Sequence, residues 1–545
     1  SFRNSYMKSE IEQVQLDGSY TFDAGVVESI DFGIGHNKVE NRNAFAIAER
    51  ATWGGVGDYD DIPNEMLLAS QSTMVDRFDN LPGDKSNMIN AFWDVDFQTM
   101  ADIVGSNYGV PLNADGSAAD PAWPCGTSVC APSTYTTDRR TVEETTSAFV
   151  QANLTFEVAE MPLNVTVGVR YEKTDVTATT LLPDIEAIGW ISDNEFDIQR
   201  GDAVFYEGTG DYDYFLPSID ADYEIIEDLI IRASFSQTLT RPGYGNLTAG
   251  GRLDGVNIEE ATGSQGNPGL MPIESTNYDI SFEYYYGDAS YASIGYFRKD
   301  VDNFIATTFT NSSPFDVTSP VQGQRFNDAV AALPAADANN SAAIRGEIQN
   351  QNPNDDYITP PNAGTGEGAK IWGHPTENDI VDVRFSQPVN QDKNEVTGFE
   401  FAVQHLFGES GFGTIVNYTY VDSDLEYDNG DISGEGQSPL LGLSDSANFV
   451  GFYDKDGIQV RVAYNWRDTF LNATVDGVGP NPVYTEEYGQ WDVNLSYEFN
   501  ENLTVFAEGI NITDETTRMF GRHELMTLNI QQTGPRYNIG MRYKF

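Results

Sequence analysis

The sequence predicts an all-β protein, a transmembrane antiparallel β-barrel with long extracellular loops. Three observations carry this. Apolar residues recur with period two in short runs, very short turns join those runs in pairs, and long polar segments separate the pairs. In the last run, Tyr537, Ile539, Met541, Tyr543 and Phe545 alternate with Asn538, Gly540, Arg542 and Lys544. Period two sends alternate side chains to opposite faces of a strand. In an outer-membrane barrel those faces meet lipid outside and water or protein inside, and about ten residues cross the hydrocarbon. Ending on an aromatic residue, Phe545, is common for the closing strand of such a barrel.

Taken in order, the hairpins are these. Leu16, Tyr20 and Phe22 turn through Asp23-Ala24-Gly25 into Ile30, Phe32 and Ile34. The run 148–158 turns through Ala159-Glu160-Met161-Pro162 into Val165, Val167, Val169 and Tyr171. The run 214–223 turns near Glu227-Asp228 into Leu229, Ile231, Ala233 and Phe235, and Tyr278 to Tyr286 turns at Gly287-Asp288 into 291–299. Further on, 398–407 turns at Gly408-Glu409-Ser410-Gly411 into Thr414 to Tyr420, and 447–453 turns at Asp454-Lys455-Asp456-Gly457 into Ile458 to Trp466. Trp491 to Phe499 turns at Asn500-Glu501-Asn502 into Leu503 and Val505. Each turn holds the Asn, Asp, Gly or Pro that tight reversals need.

The long segments are 51–139, 174–212, 241–275, 309–395, 423–443, 468–485 and 513–531. Strict segregation of short turns from long loops is the asymmetry of an outer-membrane barrel, and it predicts one rim for the turns and Phe545. Within the first loop, Asn87 to Gly105 reads as a short surface helix. Seven hairpins and the final strand give about fifteen strands. Because bacterial single-chain barrels have an even number, this count implies further strands upstream. The start, Ser1 to Ser5, has no signal-peptide pattern, which fits a chain that begins mid-protein.

Composition supports the same class. Apolar residues make up 40% of the 545 residues, and the mean hydropathy is −0.40. No window approaches the ~18 apolar residues of a membrane helix, and strands that alternate dilute the hydropathy signal. Asp and Glu number 84 against 30 Lys and Arg, a net charge of −54. A nucleic-acid binder needs the opposite balance, so no nucleic-acid partner is expected. The acidity reads as solvated loop charge, or as divalent-cation uptake by those loops.

Four stretches resemble one family: Phe235-Ser236-Gln237-Thr238-Leu239-Thr240-Arg241-Pro242; 266–279, with Asn267-Pro268-Gly269-Leu270; Tyr488-Gly489-Gln490-Trp491-Asp492 with Glu508-Gly509-Ile510-Asn511; and the terminal Tyr543-Lys544-Phe545. Together they resemble the C-terminal barrel of TonB-dependent outer-membrane receptors. More narrowly, they are similar to a proteobacterial branch linked to oligosaccharide uptake. The resemblance covers most strands from about Asn153 onward. It implies that 1–545 is one barrel portion, the back part of a barrel of roughly 22 strands. It also implies that the plug, the first strands and the TonB-engaging motif lie outside this sequence. The implied function is active uptake of a nutrient, an oligosaccharide first and a ferric siderophore or other metal chelate second. A structural or adhesive barrel is the reading from another class. The implied partners are the TonB-ExbB-ExbD complex, outer-membrane lipid and lipopolysaccharide, and a small-molecule or oligosaccharide substrate.

Candidate site residues follow from position. Arg241, Tyr244 and Asn267 come from loops flanked by the family-like stretches. Trp190 and Trp372 are loop tryptophans whose rings either stack on a sugar or pack within their own loops, as do Trp53, Trp93 and Trp123. Trp466 and Trp491 end outward stripes near the loops and read as a membrane-interface girdle. Cys125 and Cys130, the two cysteines, are expected to close a small loop as a disulfide. His36, His374, His405 and His523 are scattered and read as structural. No metal or other cofactor is called for, although oxygen ligands at alternate positions in 58–61, 113–116, 211–213 and 422–424 leave loop-bound Ca²⁺ open beside plain solvated charge. Catalytic motifs such as Gly-x-Ser-x-Gly or His-Glu-x-x-His do not occur, so no enzyme is expected.

Overall fold

The computed structural model describes residues 2–48, 71–72, 92–93, 96, 134–287, 289–360, 369–391, 393–432, 437, 439–476 and 481–545. Fifteen long strands form one antiparallel wall. They are β1 (Phe2–Thr21), β2 (Val27–Ala48), β3 (Thr137–Val158), β4 (Met161–Ser192), β5 (Glu195–Ile226), β6 (Leu229–Thr240), β7 (Ile273–Tyr286) and β8 (Ser290–Asp302). The series continues with β9 (Asn394–Leu406), β10 (Phe412–Ser423), β11 (Ser446–Lys455), β12 (Ile458–Arg467), β13 (Tyr488–Asn500), β14 (Leu503–Ile510) and β15 (Arg536–Tyr543). Every strand pairs with its neighbour in this order. Among the described residues β1 and β15 do not pair with each other.

Strict up-and-down order puts the seven expected hairpin turns at one end of the wall, while β4 and β5 meet in a further two-residue turn, Asp193-Asn194, at the other end. Phe545 joins the seven, because the Lys544 amide donates to the Asn502 carbonyl at 2.8 Å. Local chemistry makes these turns tight. Ala159 and Glu160 both have positive φ (52° and 68°), as do Asp456 and Gly457 (54° and 75°). Two successive left-handed residues suit a two-residue reversal whose twist matches the flanking strands.

Register fixes the faces. Tyr464 stands opposite Trp491, Val462 opposite Val493 and Val460 opposite Leu495 on the outward side. Asn494, between them, points inward and donates to Glu508 at 3.1 Å. At the short-turn rim the outward stripes end in aromatic pairs: Tyr20–Phe22, His405–Phe407, Tyr497–Phe499 and Tyr543–Phe545 all meet edge-on within 5.1 Å. Rings that are apolar on one side and tolerant of water on the other suit a bilayer interface. Among the described residues no helix is long and apolar enough to cross a membrane.

The buried apolar core lies beyond the other end of the wall, in the loops. This follows from the wall itself, which turns its apolar side to lipid and a largely polar side inward, so that only a few apolar residues such as Ala46, Val396 and Val450 are buried in it. The segment 174–212 is not an irregular loop: β4 and β5 continue through it as a ribbon of two 32-residue strands. Period two persists, with Val176, Ala178, Thr180 and Leu182 buried on one side, but small and polar residues hide the pattern. At ~3.3 Å per residue such a strand is ~100 Å long, far more than a bilayer needs.

Other loops are also built. In 309–395, α1 (Gln324–Ala332) and α2 (Ser341–Gln351) pack on the ribbon. The Asn340 side chain caps α2 by accepting from the Ala342 and Ala343 amides at 3.1 Å. Phe304–Ser312, Val383–Gln391, Ala261–Gln265 and Gly251–Val256 form a small sheet, and Phe470–Ala473, Val483–Thr485, Thr516–Phe520 and Thr527–Gln532 form another. The expected surface helix at 87–105 is corrected where the structure describes it: Phe92–Trp93 pair with Gln71–Ser72 as strands. Cys125, Cys130, Trp53, Trp123 and the acidic runs at 58–61 and 113–116 lie outside the described residues, and so does the Trp93 side chain.

Candidate functional site

Where β3 to β5 leave the membrane their outward faces turn from apolar to charged. Val150, Val169 and Phe215 give way to Glu144, Lys173 and Asp213. At that height and above, the inward face carries Glu143, Thr145 and Ser147 from β3, Arg170, Glu172 and Thr174 from β4, and Tyr212 from β5. Register brings them together, pairing Thr145 with Thr174, Ser147 with Glu172 and Thr174 with Tyr212. The loop that follows β6 closes over them: Leu247 and Leu270 pack on Val176 and Tyr212, with Tyr244 alongside.

Arg241 leaves the end of β6 and reaches across to Glu172 at 3.1 Å and Thr145 at 3.3 Å. Arg170 takes the other carboxylate oxygen of Glu172 at 2.6 Å and donates to Ser147 at 3.0 Å. One carboxylate thus holds two guanidiniums. Beside them Glu143 is 5% exposed, and one of its oxygens, like Arg241 Nε, has no partner among the described residues. Burial pushes the Glu143 carboxyl up, against the opposing pull of Arg241 and Tyr244. Burial, reinforced by Glu143, pushes the Tyr244 hydroxyl up to about 12. A recess of 130 Å³ opens on this wall, lined by Gln15, Asp17, Asn37, Ser147, Glu172 and Arg241 among others.

The arrangement can hydrogen-bond a polar ligand from several strands at once, and it makes the loop pH-sensitive. A raised pKa means the folded state binds the Glu143 proton more tightly than the unfolded chain does. Its contribution is therefore full below the ordinary glutamate range and is lost as pH rises through the folded-state value. Hydrogen exchange in 241–250 should accelerate as pH climbs past that range, after correction for intrinsic chemistry, and the Glu143→Gln variant should show a flat profile. Parallel profiles for both proteins would exclude Glu143 as the cause.

The structure joins two of the five expected binding residues, Arg241 and Tyr244. Asn267 is elsewhere: its side-chain oxygen accepts from the Gly269 amide at 3.0 Å and its amide donates to the Pro388 carbonyl at 3.2 Å, so it shapes the turn. Trp190 requires correction as a stacking platform. It lies in β4, is 0% exposed, and packs against Phe196 and Phe326 with the Arg345 guanidinium 5.7 Å from its ring centre. Its ring seals a core and shows no face to solvent. Trp372 is half-buried: it covers Gly189, where an added Cβ would come within 2.8 Å of its ring, and Lys370 Nζ sits 5.0 Å from the ring centre.

Sequence reasoning missed Glu143, Thr145, Arg170, Glu172 and Tyr212. The inward alternation of Thr141, Glu143, Thr145 and Ser147 was available as a signal, but it lies upstream of the apolar run that marked the strand. The histidines sit in local roles. His36 Nδ1 is 3.2 Å from Thr146 Oγ1, and His523 Nδ1 accepts from the Leu525 amide at 3.1 Å. Among the described residues no group of three or more His, Cys, Asp or Glu is placed to hold a metal ion.

Comparison with known proteins extends this picture. Residues 1–512 match the family described as TonB dependent receptor-like, beta-barrel. Among solved structures, the chain is similar to the ferric-catecholate import receptor Fiu from E. coli K12, at 13% identity and a TM-score of 0.53, covering 99% of this chain and 55% of that one. It is also similar to the siderophore receptor PiuA from Acinetobacter baumannii, at 13% identity and a TM-score of 0.50, covering 99% of this chain and 56% of that one. The chain therefore spans little more than half the length of these receptors. At such identity the likeness is one of fold. No curated protein matches the sequence.

Proposed function

The chain belongs to the TonB-dependent receptor β-barrel family, a family of outer-membrane receptors and transporters, and from that premise we propose that it forms the substrate-facing wall of an importer for a neutral, hydroxyl-rich nutrient, an oligosaccharide above all. One observation carries the substrate class. The two guanidiniums at the inner-wall recess are both paired with Glu172, and Asp17 adds a further carboxylate to its lining. An anionic ligand would have to compete with Glu172 for its cations and face the remaining carboxylate. Sugar hydroxyls instead donate to carboxylates and accept from guanidiniums without adding charge.

We read the chain as the C-terminal portion of a longer receptor. The support is that β1 and β15 are not paired with each other among the described residues, and that the chain spans 55% of the solved receptor Fiu. The remaining strands and a plug would complete the lumen, and TonB, driven through ExbB and ExbD, would displace the plug to admit cargo.

The competing class is a ferric chelate, the cargo printed in the name of Fiu. Titrating the intact receptor with candidate glycans and ferric chelates at two salt concentrations separates the classes. Glycan affinity should be nearly unchanged as the Debye length falls from ~10 Å at 0.1 M to ~3 Å at 1 M, because a neutral ligand carries no charge to screen. Chelate binding with steep salt dependence, and no binding of any glycan tried, would replace this reading with the ferric-chelate one.

A further inference from the structure

Arg139 is an anomaly of charge. The chain has 84 acidic side chains against 30 basic ones, so carboxylates are abundant and a cation without one stands out. Arg140, its neighbour on the outward face of β3, shares Asp138 with Arg42, at 2.6 and 2.8 Å. Arg139 points inward, above Glu143 and beyond the membrane, with Asn43 of β2 and Thr180 of β4 beside it in register. It is half-buried, its Nε is fully enclosed, and that Nε has no acceptor among the described residues. We infer that a small oxyanion (a carboxylate, sulfate or phosphate group) binds between Arg139 of the wall and Arg252 of the loop that follows β6, and pins that loop to the wall. The site is distinct from the Glu172 recess, whose guanidiniums are already paired, and it does not depend on the glycan reading.

The loop arrives at this spot by its own contacts. The Ala249 amide donates at 3.0 Å to Oγ1 of Thr180, the register neighbour of Arg139. Three residues on, Arg252 lies in the strand Gly251–Val256, exposed, with its Nε donating to Asp254 at 2.6 Å. Two like charges therefore meet where the loop docks. Burial lowers the Arg139 guanidinium, Arg252 lowers it further, and no carboxylate opposes them. The Phe45 ring gives partial relief: its centre is 5.8 Å from the Arg139 guanidinium carbon and 5.5 Å from that of Arg3. One ring serving two cations offsets only part of the cost. Arg3 belongs to β1, at the open edge of the wall. Arg139 has β2 and β4 on either side, so that edge does not account for its unpaired charge.

The chemistry of the gap selects the occupant. A water molecule or a sugar hydroxyl can accept from Nε but brings no charge, so the repulsion between Arg139 and Arg252 would persist. An oxyanion supplies both the acceptor and the counter-charge, and two of its oxygens match the fork of a guanidinium. A halide has the charge without the paired oxygens. Bound there, an oxyanion would hold a residue of the wall and a residue of the loop at once.

The test follows hydrogen exchange over 247–256 in the intact receptor, in chloride buffer at fixed pH and ionic strength, as inorganic phosphate, sulfate or glucuronate replaces chloride. Exchange should slow saturably, by about tenfold when the anion stands at ten times its Kd. Arg139→Gln and Arg252→Gln should each abolish the response. In chloride alone Arg139→Gln should exchange no faster than the parent, because it removes an uncompensated charge; an arginine that merely braced the loop would leave it loosened when replaced. Arg252→Gln alters an exposed residue, so it remains informative if Arg139→Gln fails to fold. A response to phosphate or sulfate would mark a free anion, and a response to glucuronate alone would mark the acid group of an organic ligand; either upholds the site. No response to any of the three, an undiminished response in both variants, or equal slowing by added chloride, which would be screening, would overturn it.

Discussion

Replacing Trp190 with alanine should unseat the cap at the loop end while leaving the membrane wall paired. The ring lies within the cluster formed by Ile344 and Ile348 of α2, Ala329 of α1, Ile358 and Ile371. Phe196 lies nearly parallel to it, at 13° and 6.4 Å between ring centres, and Phe326 approaches to 6.0 Å. Arg345 lies over the ring and donates to the Ala369 carbonyl at 2.9 Å and to the Ile191 carbonyl. Truncating a fully enclosed tryptophan typically costs about 3–5 kcal/mol, the lost transfer free energy plus the cavity left behind. The paired rows of β4 with β3 and β5 below residue 182 do not touch this cluster, so the loss should be local. Hydrogen exchange in 324–351 should speed up by two to three orders of magnitude, as ~3–4 kcal/mol requires, with exchange in 161–171 unchanged. Trp190→Phe should recover much of the protection by refilling part of the volume. Unchanged exchange over the helices in Trp190→Ala would show that the ring does not hold the cap.

The same residue shows where sequence reading stops. The membrane wall was legible because its signals are local: two-residue alternation in 491–499 or 537–545, and a turn such as Asp456-Gly457, each lie within a dozen residues. The count of fifteen strands followed from those signals alone. For Trp190 the choice between sugar stacking and loop packing could not be made from the sequence, because its partners Ile344 and Ile371 are over 150 residues away and only tertiary contact buries it. The ribbon 174–212 went unread for a different reason. Its buried face opens on Thr174, Val176, Ala178 and Thr180, a mix of small and polar residues that hides the period before Leu182, Ile185 and Ile188 continue it. At the inner-wall site, Arg241 and Tyr244 could be placed because they follow a recognisable strand end. Glu172 and Glu143 could not, since their meeting with Arg241 depends on the register of β3 against β4 and on a loop folding inward. The helices α1 and α2 left a usable trace, Asn340 ahead of an Ala-rich run, inside a segment read only by its length and polarity.

The wall itself is tested most sharply on two adjacent residues of β13. Val493→Arg should destabilise the folded receptor in a bilayer by about 2–4 kcal/mol, and Asn494→Arg by far less. The difference is one of face. Val493 stands opposite Val462 and Gly509 in register, on the stripe that continues to Leu495 and Tyr497, and those outward neighbours are 45% and 41% exposed with only lipid to cover them. An arginine there must either carry its charge into hydrocarbon or stretch toward a headgroup. Asn494 faces the other way, donating to Glu508 at 3.1 Å on a side that also carries Asp492. An arginine there meets carboxylates and water, so losing the asparagine bond is largely offset by new pairing. The measurement is folding of the intact receptor and its two variants into bilayers across a denaturant series. A midpoint shift confined to Val493→Arg is the expected result. Equal shifts would mean that Val493 and Asn494 do not face opposite environments. Since one residue of slip exchanges the faces of a whole strand, a larger shift for Asn494→Arg would reverse the lipid and lumen sides of β12 to β14 together.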